Sequence, residues 1–180
     1  MDTIVVRTTV YAAAEEVYEF LLDFPEYVNY SKYLTDVRVR TGDGGAGTQY
    51  ALRFAWWKLS YTAHSEVVAV DPPEEIDWRI TKDIDANGRW AVDPLETLPA
   101  DAPDDATTAC RVTFQVAFDP DSADAGVLNL PALVSFGWVV EQAIPLIRGE
   151  AERVVQRAVA DLEARSRPVD LTIETDSQYL

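Results

Sequence analysis

The sequence is rich in aromatic side chains but poor in the residues that most often perform catalysis. It contains five tryptophans, eight tyrosines and six phenylalanines, but only one histidine, His64, and one cysteine, Cys110. A single imidazole cannot build a metal site of several histidines, and no neighbouring residue in the sequence is suited to activate the Cys110 thiol. His64 alternates with Thr62 and Glu66, a pattern typical of a solvent-facing strand position. We therefore predict no catalytic residue, no metal ligand and no cofactor.

Arginine side chains could also contribute to a site on the aromatic face, but their positions argue against that role. Arg53, Arg79 and Arg111 each lie in a segment where aromatic or apolar residues alternate with polar ones. Because successive side chains of a strand point to opposite faces, all three arginines are expected to lie opposite the aromatic face. The sequence thus favours binding over catalysis and leaves an enzymatic role open.

Two loops resemble ligand-binding motifs, and each has a simpler interpretation. Residues 42–47 are glycine-rich, but neither a helix start nor Gly-Lys-Ser/Thr follows them, which disfavours a phosphate site. Residues 83–88 (DIDANG) match the first half of a calcium loop, but Pro94 stands where such a loop needs its last acidic ligand. The pair Asn87-Gly88 is typical of a β-hairpin turn, which we predict here.

The aromatic residues themselves suggest a binding cavity. Tyrosine and tryptophan combine an apolar surface with one polar group, which suits flat, partly polar ligands such as quinones, isoprenoids or polyketides. Cavities for such molecules are concave and mostly apolar. The residues predicted to line this cavity are Tyr27, Tyr30, Tyr50, Phe54, Trp56, Trp78, Trp90, Phe114, Phe136, Trp138, Ile144 and Ile147.

Seven strand-like segments and three helical segments are predicted to position these side chains. The strands are residues 3–11, 36–41, 48–57, 59–70, 75–82, 89–92 and 109–118, and the helices are residues 12–23, 26–34 and 131–165. The two shorter helices directly follow the first strand.

The last helix is long and has one apolar face. Apolar residues recur at helical spacing at Ile147, Ala151, Val154, Val155, Ala158 and Leu162. Such a face needs a broad apolar surface to lie on, and the alternating strands supply one. We predict a single antiparallel sheet that grips this helix, with the ligand cavity between them. Pro145 is expected to kink the helix or to split it into two.

Composition limits the surroundings and the partners of the protein. The net charge is −16, from 31 acidic against 15 basic residues, and opposes binding to nucleic acid. With only three lysines, this balance suggests adaptation to a salt-rich cytoplasm, where screening makes the repulsion tolerable. No apolar run is long enough to span a membrane, no signal pattern precedes the first strand, and one cysteine excludes an intrachain disulfide. We expect a cytoplasmic protein.

The organisation of the chain predicts a single domain at residues 1–168. Residues 95–108 form an acidic, proline-rich insertion that is expected to be exposed. Residues 169–180 form a tail that alternates weakly, and the pattern does not distinguish an added edge strand from a loose end.

Several stretches resemble a known family. AAAEEVYEFLLDFPEYVNY, VVAVDPPEEIDWRI, and GRWAVDPLET followed by CRVTFQVAFDP are similar to stretches of the polyketide cyclase/dehydrase and coenzyme Q-binding branch of the START-like (SRPBCC) superfamily. The similarity covers roughly residues 3–165. It implies the α+β helix-grip fold, in which a curved antiparallel sheet, here of seven strands, wraps around a long C-terminal helix.

The resemblance implies a fold more firmly than a function, because one fold serves many activities. Our leading hypothesis is a non-catalytic carrier of an apolar small molecule, such as a lipid, isoprenoid or quinone. The alternative is a polyketide cyclase or dehydratase that uses neither a metal nor a nucleotide cofactor. A third hypothesis is a protein-interaction module that uses the acidic insertion or the tail. The sequence identifies neither the ligand, a protein partner nor the oligomeric state.

Overall fold

A computed structural model describes residues 1–56, 59–123 and 136–176, with backbone but not side chains at residue 59 and across 136–148. These residues form eight strands, two α-helices and two 3-10 helices. The strands are β1 (Asp2–Val10), β2 (Leu34–Thr41), β3 (Gln49–Trp56), β4 (Leu59–Asp71), β5 (Glu75–Ile80), β6 (Asp85–Pro94), β7 (Cys110–Asp119) and β8 (Thr172–Asp176); the helices are α1 (Ala14–Leu22), α2 (Phe136–Glu163) and the 3-10 helices Phe24–Asn29 and Pro120–Ser122. Trp57 and residues 131–135, which we predicted at the ends of a strand and a helix, lie outside the described residues.

The strands form one curved antiparallel sheet in the order β2-β3-β4-β5-β6-β7-β1-β8. Strands β2 to β7 pair in chain order, and β1 closes onto β7, with Val6 opposite Phe114. The prediction of an α+β fold with an antiparallel sheet and a long C-terminal helix is confirmed.

The sheet has eight strands rather than the predicted seven. The additional strand is β8, from the tail, which pairs with the free edge of β1 and places Ile173 opposite Val6. Pairing satisfies backbone groups of β1 that would otherwise be left at an open edge. For Thr172–Asp176, the alternative of an added edge strand is therefore correct, while residues 177–180 lie outside the described residues.

The hairpin turn that we predicted at Asn87-Gly88 is wrong. Both residues lie within β6, where Gly88 is opposite Trp78 and Asn87 is opposite Arg79 of β5. The turn between β5 and β6 is residues 81–84. A side chain on Gly88 would collide with the Trp78 ring, since a Cβ atom there would lie 2.2 Å from Trp78 Cζ2. The glycine is therefore explained by a close packing contact rather than by a turn.

The second predicted helix is shorter than expected and has 3-10 geometry. It spans Phe24–Asn29 rather than residues 26–34, with Pro25 in its first turn. Strand pairing competes for the rest of the segment, because the Ala55 N–H donates to the Tyr33 carbonyl and β2 already begins at Leu34. Sheet formation therefore ends this helix early.

Helices α1 and α2 cover one end of the inner face of the sheet. Val17 and Tyr18 of α1 are 0% and 2% exposed, and Val159 near the end of α2 is 2% exposed. These side chains belong to one apolar core with strand residues such as Ile76 and Val112. Helix α2 continues through Pro145 as one helix, so the predicted split into two helices is not observed.

Gly149 offers a test of the stability of α2. It lies in the helix interior, is exposed, and has no atom within 4 Å of the position where a Cβ would lie. Alanine loses less conformational entropy than glycine in a helix, so Gly149→Ala should raise the free energy of unfolding by about 0.5–1 kcal/mol. Urea denaturation monitored by circular dichroism measures this change. An unchanged or lower urea midpoint would show that this turn of α2 is not a regular, solvent-exposed helix.

Candidate functional site

The sheet brings aromatic residues from several strands to its inner face. Trp90 on β6 lies opposite Phe114 on β7, and Trp78 on β5 is two residues from Ile76, which pairs with Trp90. Tyr50 on β3 is buried on the same face. Period-two alternation therefore collects side chains that are far apart in the sequence.

Six rings form a continuous series of contacts that we call the aromatic row. The ring centroids are separated by 4.9 Å from Tyr50 to Phe24, 5.0 Å from Phe24 to Tyr27, 6.5 Å from Tyr27 to Trp90, 4.5 Å from Trp90 to Phe114, and 5.9 Å from Phe114 to Trp78. These separations are in the range of favourable ring–ring contacts. The row crosses the inner face from β3 to β5 by way of the 3-10 helix Phe24–Asn29.

Burial differs among the side chains of the inner face. Val67 and Ile76 are both 0% exposed and Val92 is 1% exposed, so these aliphatic positions are closed to solvent. By contrast, Trp78, Trp90 and Phe114 are only partly buried, and Phe54 on β3 is 38% exposed. An accessible aromatic surface on the inner face of a sheet is the type of surface that an apolar ligand can cover.

The tyrosines of the aromatic row are held in their neutral form. Burial raises the pKa of Tyr27 well above its usual range, although a hydrogen bond from Trp90 opposes this shift. Its hydroxyl donates to the Leu21 carbonyl. Burial also raises the pKa of Tyr50. These phenols therefore contribute polar but uncharged groups at neutral pH.

Other predicted ligand-binding residues lie away from the aromatic row. The Tyr30 hydroxyl donates to Asp161 Oδ2 at 2.7 Å, which joins the 3-10 helix Phe24–Asn29 to α2. Two effects together raise the pKa of Tyr30 to about 12: burial is the larger, and the Asp161 carboxylate is the next. Phe54 and Trp56 lie further along β3. The side chains of Phe136, Trp138, Ile144 and Ile147 in α2 lie outside the described part of the chain.

The sequence prediction omitted two aromatic residues that the structure places beside the predicted ones. Phe24 links Tyr50 to Tyr27 within the aromatic row and is 4% exposed. Tyr61 lies on β4 opposite Phe54 and shares its face. Tyr61 could have been predicted to face the cavity, because it alternates with the polar residues Thr62 and His64 along the strand. Nothing in the local pattern distinguishes Phe24 from an ordinary helix residue.

Potentially reactive groups lie outside the aromatic row. Cys110 is 0% exposed, and burial raises the pKa of its thiol to about 12, which leaves it a poor nucleophile. Arg53, Arg79 and Arg111 are exposed, as the alternation predicts. Across the described ranges, no group of three or more His, Cys, Asp or Glu side chains is arranged to hold a metal ion.

Two open surface cavities in the described structure are separate from the aromatic row. One, of about 330 Å³, is lined by Arg153, Gln156, Arg157, Ala160, Ser166 and Arg167. The other, of about 390 Å³, is lined by residues 80–85 and Ser122. Neither cavity includes a predicted ligand-binding residue.

Comparison with known proteins identifies the family. The family model "Polyketide cyclase / dehydrase and lipid transport" matches residues 1–166, and the chain belongs to this family. No curated protein gives a significant match to the sequence.

Solved structures support the same fold. A START superfamily protein from Mycobacterium smegmatis aligns with a TM-score of 0.59 at 14% identity, over 91% of this chain and 99% of that chain. The TTHA0849 protein from Thermus thermophilus aligns with a TM-score of 0.58 at 16% identity, over 90% and 97%. The di-domain ARO/CYC BexL from the BE-7585A biosynthetic pathway aligns with a TM-score of 0.56 at 18% identity, over 91% of this chain and 51% of that chain.

Membrane insertion by a helix finds no support in the described residues. None of their helices combines the length and the apolar composition that crossing a bilayer requires.

Proposed function

We propose that the protein binds an apolar small molecule of the lipid, isoprenoid or quinone type between the inner face of the sheet and α2, and carries it unchanged. The partly exposed rings of Trp78, Trp90 and Phe114, at one end of the aromatic row, are the observation that supports this proposal. Flat aromatic faces favour flat or extended apolar molecules, and burying that surface on both partners supplies the driving force for binding.

The polarity of the inner face supports carriage rather than catalysis. Alternation places uncharged side chains on this face along β3 to β7, among the side chains that the structure describes. The arginines of these strands are on the opposite face; Arg79, for example, donates to Glu66 at 2.7 Å. An uncharged face can hold an apolar molecule, but it offers no charged group to stabilise the charge that develops during a reaction.

A fluorescence titration with the apolar dye Nile red tests this proposal. We expect saturable binding of one dye per protein and displacement by a short-chain quinone. Phe114→Leu removes the ring that lies between Trp90 and Trp78 in the aromatic row, and it should weaken binding by roughly ten-fold, since such a ring contact contributes about 0.5–1.5 kcal/mol beyond its buried area. Leu98→Ala alters a side chain that is 42% exposed and distant in the sequence, and serves as the control. Non-saturable binding, or equal weakening by both variants, would contradict the proposal.

A cyclase or dehydratase acting on a polyketide-like substrate is the second candidate, and the family description favours it. Such a reaction needs a group that moves a proton at the substrate. The Tyr61 hydroxyl is buried on the inner face and has no hydrogen-bond partner among the described residues. Cyclised product from a linear poly-β-ketone thioester, reduced at least ten-fold in Tyr61→Phe, would establish catalysis. Recovery of unchanged, protein-bound substrate would support carriage.

We also propose that the protein works in a salt-rich cytoplasm, because its net charge is −16. Salt at about 2 M shortens the screening length to a few ångströms and so reduces the repulsion between exposed carboxylates. The melting temperature should rise by roughly 5–10 °C between low salt and about 2 M KCl. Calorimetry measures this rise, with sucrose of equal osmolality as the uncharged control. A melting temperature that KCl leaves unchanged, or raises no more than sucrose does, would contradict salt adaptation.

A further inference from the structure

The Trp78 indole is fixed in one position on the inner face. It stacks on Phe114 with a centroid separation of 5.9 Å and an interplanar angle of 15°. It also lies close to the backbone of Gly88, where a Cβ would be 2.2 Å from Cζ2 and 2.5 Å from Cε2. Because the indole is confined in this way, the direction of its N–H group is also fixed.

The Trp78 N–H group has no hydrogen-bond partner among the described residues, although Nε1 is buried. Indole nitrogen is a donor only, so an oxygen acceptor must be supplied to it. Native proteins leave few buried donors unpaired, and such groups mark a missing partner. Trp90, in the same aromatic row, differs because its indole nitrogen is not among the buried, unpaired groups of the described residues.

We propose that Trp78 donates a hydrogen bond to an oxygen of the ligand, which narrows the ligand class to flat apolar molecules that carry a carbonyl or similar acceptor. This inference rests on the proposed binding function. A pure hydrocarbon would cover the indole and leave its N–H group unpaired, so it would bind more weakly than an oxygenated molecule of the same shape.

The Tyr61 hydroxyl is a second unpaired group on this face, but it is too distant to share the same oxygen. Val67 lies opposite Trp78, and Tyr61 is six residues before Val67 on β4. Six residues of strand span about 20 Å. A small ligand at Trp78 therefore does not reach Tyr61, which makes Tyr61 a suitable control for the position of the donor.

Fluorenone and fluorene test the inference, because the two molecules share one ring system and differ by a ketone oxygen. The wild-type protein should bind fluorenone roughly ten-fold more tightly than fluorene. Trp78→Phe should abolish this preference. Trp90→Phe replaces an indole of the same row whose nitrogen is not among the buried, unpaired groups, so it should weaken the binding of both probes alike and keep the preference. Tyr61→Phe should also keep it.

The possible failures distinguish the inference from the proposed function. If neither probe binds the wild-type protein, the proposed function fails and this inference fails with it. If both bind equally, or if Trp78→Phe keeps the preference, the function stands and Trp78 is not the donor. A preference lost in Tyr61→Phe alone would transfer the donor role to Tyr61 and overturn the assignment to Trp78.

Discussion

Replacing Glu163 with alanine should lower the free energy of unfolding by about 3–5 kcal/mol, the usual cost of removing one partner of a buried ion pair. The Glu163 side chain is 0% exposed and accepts from Arg167 Nε at 2.8 Å and Nη2 at 2.7 Å. It also accepts from the Tyr11 backbone N–H at 2.9 Å. Arg167 in turn donates to the Thr9 carbonyl. This cluster joins the end of α2 to the end of β1. Removing the Glu163 carboxylate leaves the partly buried Arg167 guanidinium without its carboxylate partner and the Tyr11 N–H without its acceptor.

Urea denaturation followed by circular dichroism measures this loss. Arg79→Ala is the matched control, because Arg79 also makes two hydrogen bonds to one carboxylate but its side chain is 57% exposed. An exposed pair contributes about 0–1 kcal/mol, so this variant should unfold near the wild-type midpoint. If Glu163→Ala costs no more than Arg79→Ala, the cluster does not anchor α2.

Gly88→Ala should both destabilise the protein and disturb the aromatic row. A Cβ at position 88 would lie 2.2 Å from Trp78 Cζ2 and 2.7 Å from the Gln115 carbonyl, closer than any normal contact. The indole or the backbone must move, and overpacking of this kind typically costs about 1–3 kcal/mol. Tilting the indole also moves its ring surface and its N–H group, both of which we propose contact the ligand. We expect a lower urea midpoint, altered tryptophan fluorescence and at least ten-fold weaker Nile red binding.

Gly149→Ala is the matched control for this substitution, because it makes the same chemical change in open space on α2. It should stabilise the protein and leave dye binding as it is in the wild type. Opposite effects of the two variants on stability, together with a binding defect in Gly88→Ala alone, are the expected pattern. Normal binding by Gly88→Ala would place the ligand away from Trp78.

The faces of the strands could be predicted from sequence because they depend on local alternation. Trp78 and Arg79 are adjacent in β5, and the structure places one on the inner face and the other exposed on the outer face. The same rule correctly separated Phe114 from Arg111. The fold class followed from the order of these strands and the long amphipathic helix.

The errors arose where contacts between distant residues decide the local structure. Asn87-Gly88 has the local chemistry of a turn, but the indole of Trp78 on the neighbouring strand occupies the space that any side chain at position 88 would need. The start of β2 at Leu34 depends on pairing with β3, and β8 depends on the free edge of β1. Likewise, Phe24 joins the aromatic row only because the 3-10 helix brings it against Tyr50. No local pattern reports such contacts.

Native mass spectrometry of the protein purified from a salt-adapted host tests the central claim most directly. We expect the wild-type protein to carry the added mass of one apolar, oxygen-containing molecule, which organic extraction releases, and Gly88→Ala prepared in parallel to carry a reduced adduct or none. Wild-type protein that remains at its sequence mass, both as purified and after incubation with excess fluorenone, quinone and isoprenoid probes, would contradict the claim that this inner face is a ligand site.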